Sequence, residues 1–112
     1  MFYEWIKELP LAITVTDTTG KIIEMNDRSV ETFEKYGGRE LIGRNIEDLH
    51  SESACKKIAW IIESKTPNSY TIEKNGIKKL VYQTPWYQDG NYAGLVELSL
   101  VIPLDMPHYI RK

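Results

Sequence analysis

The apolar positions of this chain change spacing from segment to segment, and each spacing predicts an element. Phe2, Trp5, Ile6 and Leu9 recur at helical intervals among Glu4, Lys7 and Glu8, which predicts an amphipathic helix within 1–10 that Pro10 ends. LAITVTD then alternates, with Leu11, Ile13 and Val15 on one face and Ala12, Thr14 and Thr16 on the other, the mark of a half-buried strand. DTTG turns the chain and KIIEM returns it, so 11–25 reads as a hairpin. Asn26 stands where a helix cap belongs, before DRSVETFEKY. That helix turns Val30 and Phe33 inward, pairs Glu31 with Lys35 and ends at Gly37-Gly38. GRELIG and NIEDL read as short helical turns joined by Gly43. Ser51 caps a longer helix, roughly 52–64, whose stripe of Ala54, Cys55, Ile58, Ala59, Ile61 and Ile62 runs out before Pro67.

Beyond Pro67 the period drops to two. SYTIEK, IKKLVYQTPWY and YAGLVELSLVIP predict a three-stranded antiparallel meander joined at Asn75-Gly76 and at QDGN. Pro85 inside the second of these strands predicts a bulge or a break in pairing there. The order of helix, two strands, several helices and three strands makes this an α+β domain on one antiparallel sheet.

Composition narrows the class. With 112 residues, 42% of them hydrophobic and 27% charged, the chain suits one globular domain. A net charge of −2 with both signs interspersed argues against nucleic acid or an anionic membrane as partner. A single cysteine, Cys55, excludes an intramolecular disulfide and fits a reducing compartment. The start MFYEWIKELP has no basic leader followed by an apolar run, and LVELSLVIPL is too short to span a bilayer. The expectation is a soluble, cytoplasmic domain.

Several local signatures resemble the PAS domain, a sensory module. "TVTDTTGKIIEMN" resembles the family's first hairpin, with Asp17, Gly20 and Asn26 in the expected places. "FEKYGGRELIGRNI" is similar to its glycine-containing link, and "QTPWYQDGNYAGLVELSLVI" to its last two strands. The likeness runs over about residues 9 to 103. It divides the chain into an N-terminal helix at 1–10, a PAS domain at 11–103 and a tail at 104–112. The finer texture resembles PAS modules of bacterial or archaeal proteins. Val101-Ile102-Pro103 stands where an Asp-Ile-Thr triplet often closes the family's last strand, which puts helical continuation into an output domain in doubt. The resemblance implies a five-stranded antiparallel sheet in the order 2-1-5-4-3, helices over one face and a ligand cavity between them.

That implied cavity organises the candidate site. The resemblance turns Glu97 and Ser99 of the last strand toward it, although polarity alone would bury the other face, Val96, Leu98, Leu100 and Ile102. Both faces are satisfied if Phe2, Trp5, Ile6 and Leu9, in cis or from a second subunit, cover Val96, Leu98 and Leu100. The cavity wall is then assigned to Ile13, Val15, Ile46, Leu49, Ile58, Ile62, Tyr82, Thr84 and Trp86, with Glu97 and Ser99 as its polar groups.

The cofactors of related modules are tested against the same residues. Where the family's light-sensing branch carries a photoreactive cysteine this chain has Ile46, and where it carries a flavin-reading glutamine it has Ser99. Both departures argue against flavin photochemistry. A haem reading rests on His50, just ahead of the long helix, as axial ligand. His108 lies in the tail, and the two histidines with Cys55 form no metal-ligand spacing, so no other metal site is assigned. No phosphate loop, nucleophile–base pair or paired carboxylate marks an enzyme. The expected function is a sensory module that binds a small molecule, pairs as a homodimer and passes its signal to another protein. A ligand-free dimerisation or interaction scaffold is the competing expectation.

Overall fold

The computed structural model describes residues 3–112. Five antiparallel strands form one sheet in the order β2-β1-β5-β4-β3. They are β1 (Ala12–Thr16), β2 (Ile22–Met25), β3 (Asn68–Lys74), β4 (Ile77–Gln88) and β5 (Asn91–Ile102). Between β2 and β3 run α2 (Asp27–Thr32), three 3-10 turns (Glu34–Tyr36, Gly38–Leu41, Ile46–Leu49) and α3 (Glu52–Ser64). These segments lie over one face of the sheet. Among the described residues no helix is long and apolar enough to cross a membrane.

Asn26 explains how the first hairpin meets the helical layer. Its carboxamide oxygen accepts from the Ser29 amide (3.1 Å), capping α2, and from the Ile13 amide (2.9 Å) in β1. Its amide group donates to the Leu11 and Ile6 carbonyls (2.8 and 3.2 Å). A wholly buried side chain with every valence used ties three segments to one point.

The helix expected over DRSVETFEKY is shorter. Thr32 turns its hydroxyl back onto the Arg28 carbonyl (2.8 Å), the α-helix stops there, and a separate 3-10 turn follows. The ion pair on this stretch is Arg28–Glu31 (3.6 Å) rather than Glu31–Lys35. At Pro85 the ladder stays in register with Leu95, and the shift comes one step later, between Trp86 and Tyr87. The Leu95 amide points away from β4, toward the Thr16 hydroxyl (3.1 Å), so Pro85 faces it without exchanging hydrogen bonds. The N–H that proline lacks would face the side where β3 has already ended, its last pair being Asn68 with Gln83.

The N-terminal helix is a single turn, α1 (Glu4–Lys7), and Phe2 lies outside the described residues. It is held at the start of α2 by the Asn26–Ile6 bond and by Lys7–Asp27 (3.3 Å), and Trp5 is 69% exposed. The expectation that Trp5 covers the far face of the sheet in cis is therefore corrected, whereas Ile6 and Leu9 are half-buried. Val96, Leu98 and Leu100 remain half-buried, with Ile13, Val15 and Leu80 beside them.

Candidate functional site

The segment GRNIEDLH, 43 to 50, builds one wall of the site. Its backbone pairs with the end of the first hairpin: Gly43 N–H donates to the Ile22 carbonyl (2.8 Å), Ile22 N–H to Arg44 (2.9 Å), and Ile46 N–H to Gly20 (2.8 Å). The Asn45 side chain donates to the Thr19 carbonyl (2.9 Å) and accepts from the Glu47 amide (2.9 Å), starting the last 3-10 turn. These bonds push Ile46 into the core, where it is 5% exposed.

Ile46 borders two cavities. The first, about 180 Å³, has Thr14 and Glu97 of the sheet on one side and Phe33, Leu41 and Leu49 on the other. Ile22 and Met25 complete the apolar wall, His50 also lines it, and Tyr36, 65% exposed, stands at its rim. The second, about 140 Å³, lies between Ile46, Leu95 and Thr16 and the α3 residues Cys55, Ile58 and Ile62.

Beneath the first cavity the sheet carries a polar row. The register places Thr14 opposite Glu97, Glu97 opposite Gln83, and Gln83 opposite Asn68, so four strands each give one polar side chain to the same line. Asn68 Nδ2 donates to Gln83 Oε1 (3.0 Å), and Gln83 Nε2 donates to Glu97 Oε2 (2.8 Å). A carboxylate accepts only, so an ionised Glu97 selects this orientation of both amides. Thr14 Oγ1 shares a 2.6 Å hydrogen bond with Ser29 Oγ of α2. The Tyr70 phenol, on the same face in β3, is held above its ordinary range, first by burial and then by the negative charge of Glu97. His50 Nδ1 lies 2.8 Å from the Ile46 carbonyl; a carbonyl cannot donate, so Nδ1 carries the proton.

The structure places Ile46, Leu49, Glu97 and His50 on the wall of the first cavity and Ile58 and Ile62 on that of the second. Ser99 lies on the inner face between Ala12 and Val81 and borders neither. Ile13, Val15, Tyr82, Thr84 and Trp86 are corrections, because the register puts them on the opposite face. Ile13 pairs with Leu98 and Val15 with Val96, while Tyr82 and Thr84 face the same two residues from β4. Trp86 lies across Gly94, its indole donating to the Thr16 carbonyl (2.9 Å). The residues that sequence reasoning missed are Thr14, Ile22, Met25, Phe33, Tyr36 and Leu41. The signal for Thr14 was present: it shares a face with Ala12 and Thr16, small enough to let helices approach.

A haem does not fit this cavity as it stands. Pockets for drug-sized ligands run roughly 300–1,000 Å³, and a porphyrin would need Phe33, Leu41 and Leu49 to withdraw. Among the described residues no three His, Cys, Asp or Glu side chains converge as metal ligands.

No family model and no curated protein matches the chain. Solved structures do. The Aer2 receptor from Vibrio cholerae, a dual PAS–haem oxygen sensor, aligns at TM-score 0.64 and 17% identity over 82% of this chain and 94% of its own. The PAS domain of histidine kinase ThkA aligns at TM-score 0.64 and 21% identity over 81% and 98%. The VqmA dimer of Vibrio cholerae, a LuxR-type receptor with a target DNA, aligns at TM-score 0.65 and 18% identity over 95% of this chain and 54% of VqmA. This chain thus spans about half of VqmA.

Proposed function

Starting from the PAS fold of this chain, a fold that sensor proteins use, we propose that it binds a small molecule in its core and passes the event on through its outer sheet face. The observation that carries this reading is the first cavity: apolar walls, a carboxylate on its floor and a rim residue open to solvent. Apolar enclosure with few polar groups is how small-ligand sites are commonly composed. Aer2, a haem oxygen sensor, and VqmA, seen in a ligand–DNA complex, support ligand reception in this fold. The reading includes no catalytic step.

Output needs a second body. The half-buried row of Ile13, Val15, Leu80, Val96, Leu98 and Leu100 is the surface we assign to a second copy of the chain or to a downstream signalling protein. Ligand occupancy shifts the signal only if it favours one arrangement of helical layer and sheet over another, since equal affinity for both changes nothing.

Filling the cavity tests the reading. In Leu49→Trp the indole is expected to occupy the space, so compounds from a fragment library that raise the Tm of the wild type by several degrees leave the variant unmoved. Leu49→Phe, a smaller insertion, should retain part of the response. A library that stabilises wild type and Leu49→Trp equally locates binding elsewhere.

A further inference from the structure

The chemistry of the first cavity also specifies its ligand class, an inference that rests on the ligand-binding reading above. Glu97 is the middle of the polar row, and the hydrogens of that row point toward it: Asn68 donates to Gln83, and Gln83 donates to Glu97 Oε2. The other carboxylate oxygen, Oε1, has no protein hydrogen bond among the described residues. No lysine, arginine or histidine among them forms an ion pair with Glu97; the ion pairs present join Lys7 and Arg39 to Asp27, Arg28 to Glu31 and Lys56 to Glu52.

The remaining polar groups of the cavity make no hydrogen bond to Glu97 Oε1 among the described residues. The Thr14 and Ser29 hydroxyls share one 2.6 Å hydrogen bond in which either can donate, and neither bonds Glu97. His50 uses its Nδ1–H on the Ile46 carbonyl rather than on Glu97. Tyr36 is at the rim. An anionic ligand would meet a like charge, and Glu97 Oε1 offers no donor to a ligand with acceptors alone. A half-buried carboxylate with an open lone pair instead favours a cation that carries N–H. Size bounds the rest: a cavity of roughly 150 Å³ holds benzene, and this one is about 180 Å³.

We propose that the cavity takes a small organic cation, with an N–H-bearing head set against Glu97 Oε1 and a body about the size of one six-membered ring among Ile22, Met25, Phe33, Leu41 and Leu49.

The test compares benzylamine, protonated at neutral pH, with its uncharged isostere ethylbenzene, each titrated into wild type, Glu97→Gln and Glu97→Asp by calorimetry. Benzylamine is expected to bind wild type roughly 10- to 100-fold tighter than ethylbenzene, the span of a charge-assisted hydrogen bond. Glu97→Gln should remove that advantage and leave ethylbenzene unchanged, whereas Glu97→Asp, which keeps the charge, should retain part of it. Equal affinity of the two probes for wild type, or a benzylamine affinity unmoved in Glu97→Gln, overturns the cation assignment while leaving an apolar ligand site standing. Binding of neither probe overturns the assignment and the ligand-binding reading together. The wild-type comparison decides the question even where Glu97→Gln is too unstable to titrate.

Discussion

Replacing Asn26 by alanine is expected to lower the unfolding free energy by about 3–5 kcal/mol, a large share of the roughly 5–15 kcal/mol that holds a domain together. Asn26 is fully buried, and its side chain makes four hydrogen bonds to backbone. Alanine orphans the Ile13 and Ser29 amides and the Leu11 carbonyl at once, while the Ile6 carbonyl keeps the Leu9 N–H (3.2 Å). An unsatisfied buried group costs about 1–3 kcal/mol and a lost N-cap about 1 kcal/mol, with water recovering part of the loss at the more open Ile6 end. Asn26→Asp separates the two halves of the contact. It keeps the accepting oxygen for Ile13 and Ser29 but sets a second oxygen against two carbonyls, so it too should destabilise. Urea unfolding with an unchanged m-value measures both variants. A loss below about 1 kcal/mol for Asn26→Ala would mean that the joint between hairpin and helix is not built as described.

Gly94→Ala is expected to be nearly as damaging, about 3–4 kcal/mol, for a different reason. A Cβ at this position would overlap the Thr16 carbonyl oxygen and lie 2.8 Å from Trp86 Nε1. The backbone there has φ of +147°, which side chains with a Cβ rarely adopt. Relief of the backbone overlap requires β1 and β5 to part, and the indole must also leave Gly94, which strains its 2.9 Å bond to Thr16. Trp86→Phe isolates the second effect: it keeps a ring over Gly94 but loses the N–H and part of the ring system, at about 1–2 kcal/mol. Thermal unfolding of the two variants ranks them, and a Gly94→Ala loss no larger than that of Trp86→Phe would contradict the packing.

What the sequence made legible were features set by local chemistry. The Asn75-Gly76 turn, the Asn26 and Ser51 caps and the alternation of the C-terminal strands follow from dihedral limits and hydrogen-bond geometry within a few residues, and they suffice for the element order. The choice of face was not local. Alternation shows that Ile13 and Val15 share a side, but not which side the helices cover. The larger apolar side chains of β1 were therefore assigned to the cavity, whereas the helical layer packs on Ala12, Thr14 and Thr16. The same ambiguity misplaced Tyr82, Thr84 and Trp86.

The polar row illustrates the limit from another direction. Thr14, Gln83 and Asn68 are ordinary strand residues until register aligns them with Glu97. Register depends on distant pairings, such as that of Thr14 with Glu97, 83 residues on, and no local window of sequence contains both. Glu97 was placed at the cavity by the resemblance to the PAS domain, since polarity alone would bury the other face; its supporting amides were not legible. The cavity wall had a similar fate: Ile46 and Leu49 were assigned to it through the implied cavity, while Phe33 read as an inward residue of its helix and Leu41 as part of a short helical turn.

The central claim is that the cavity between sheet and helical layer receives a small molecule. It is tested most directly by native mass spectrometry of freshly purified protein beside the same sample denatured. The account predicts a species heavier than the chain by one small, nitrogen-bearing organic molecule, with the added mass lost on denaturation. It also predicts that a dimer is present in the native spectrum. A bare chain mass in the native spectrum, unchanged after the protein is incubated with an extract of its own cells, would contradict it.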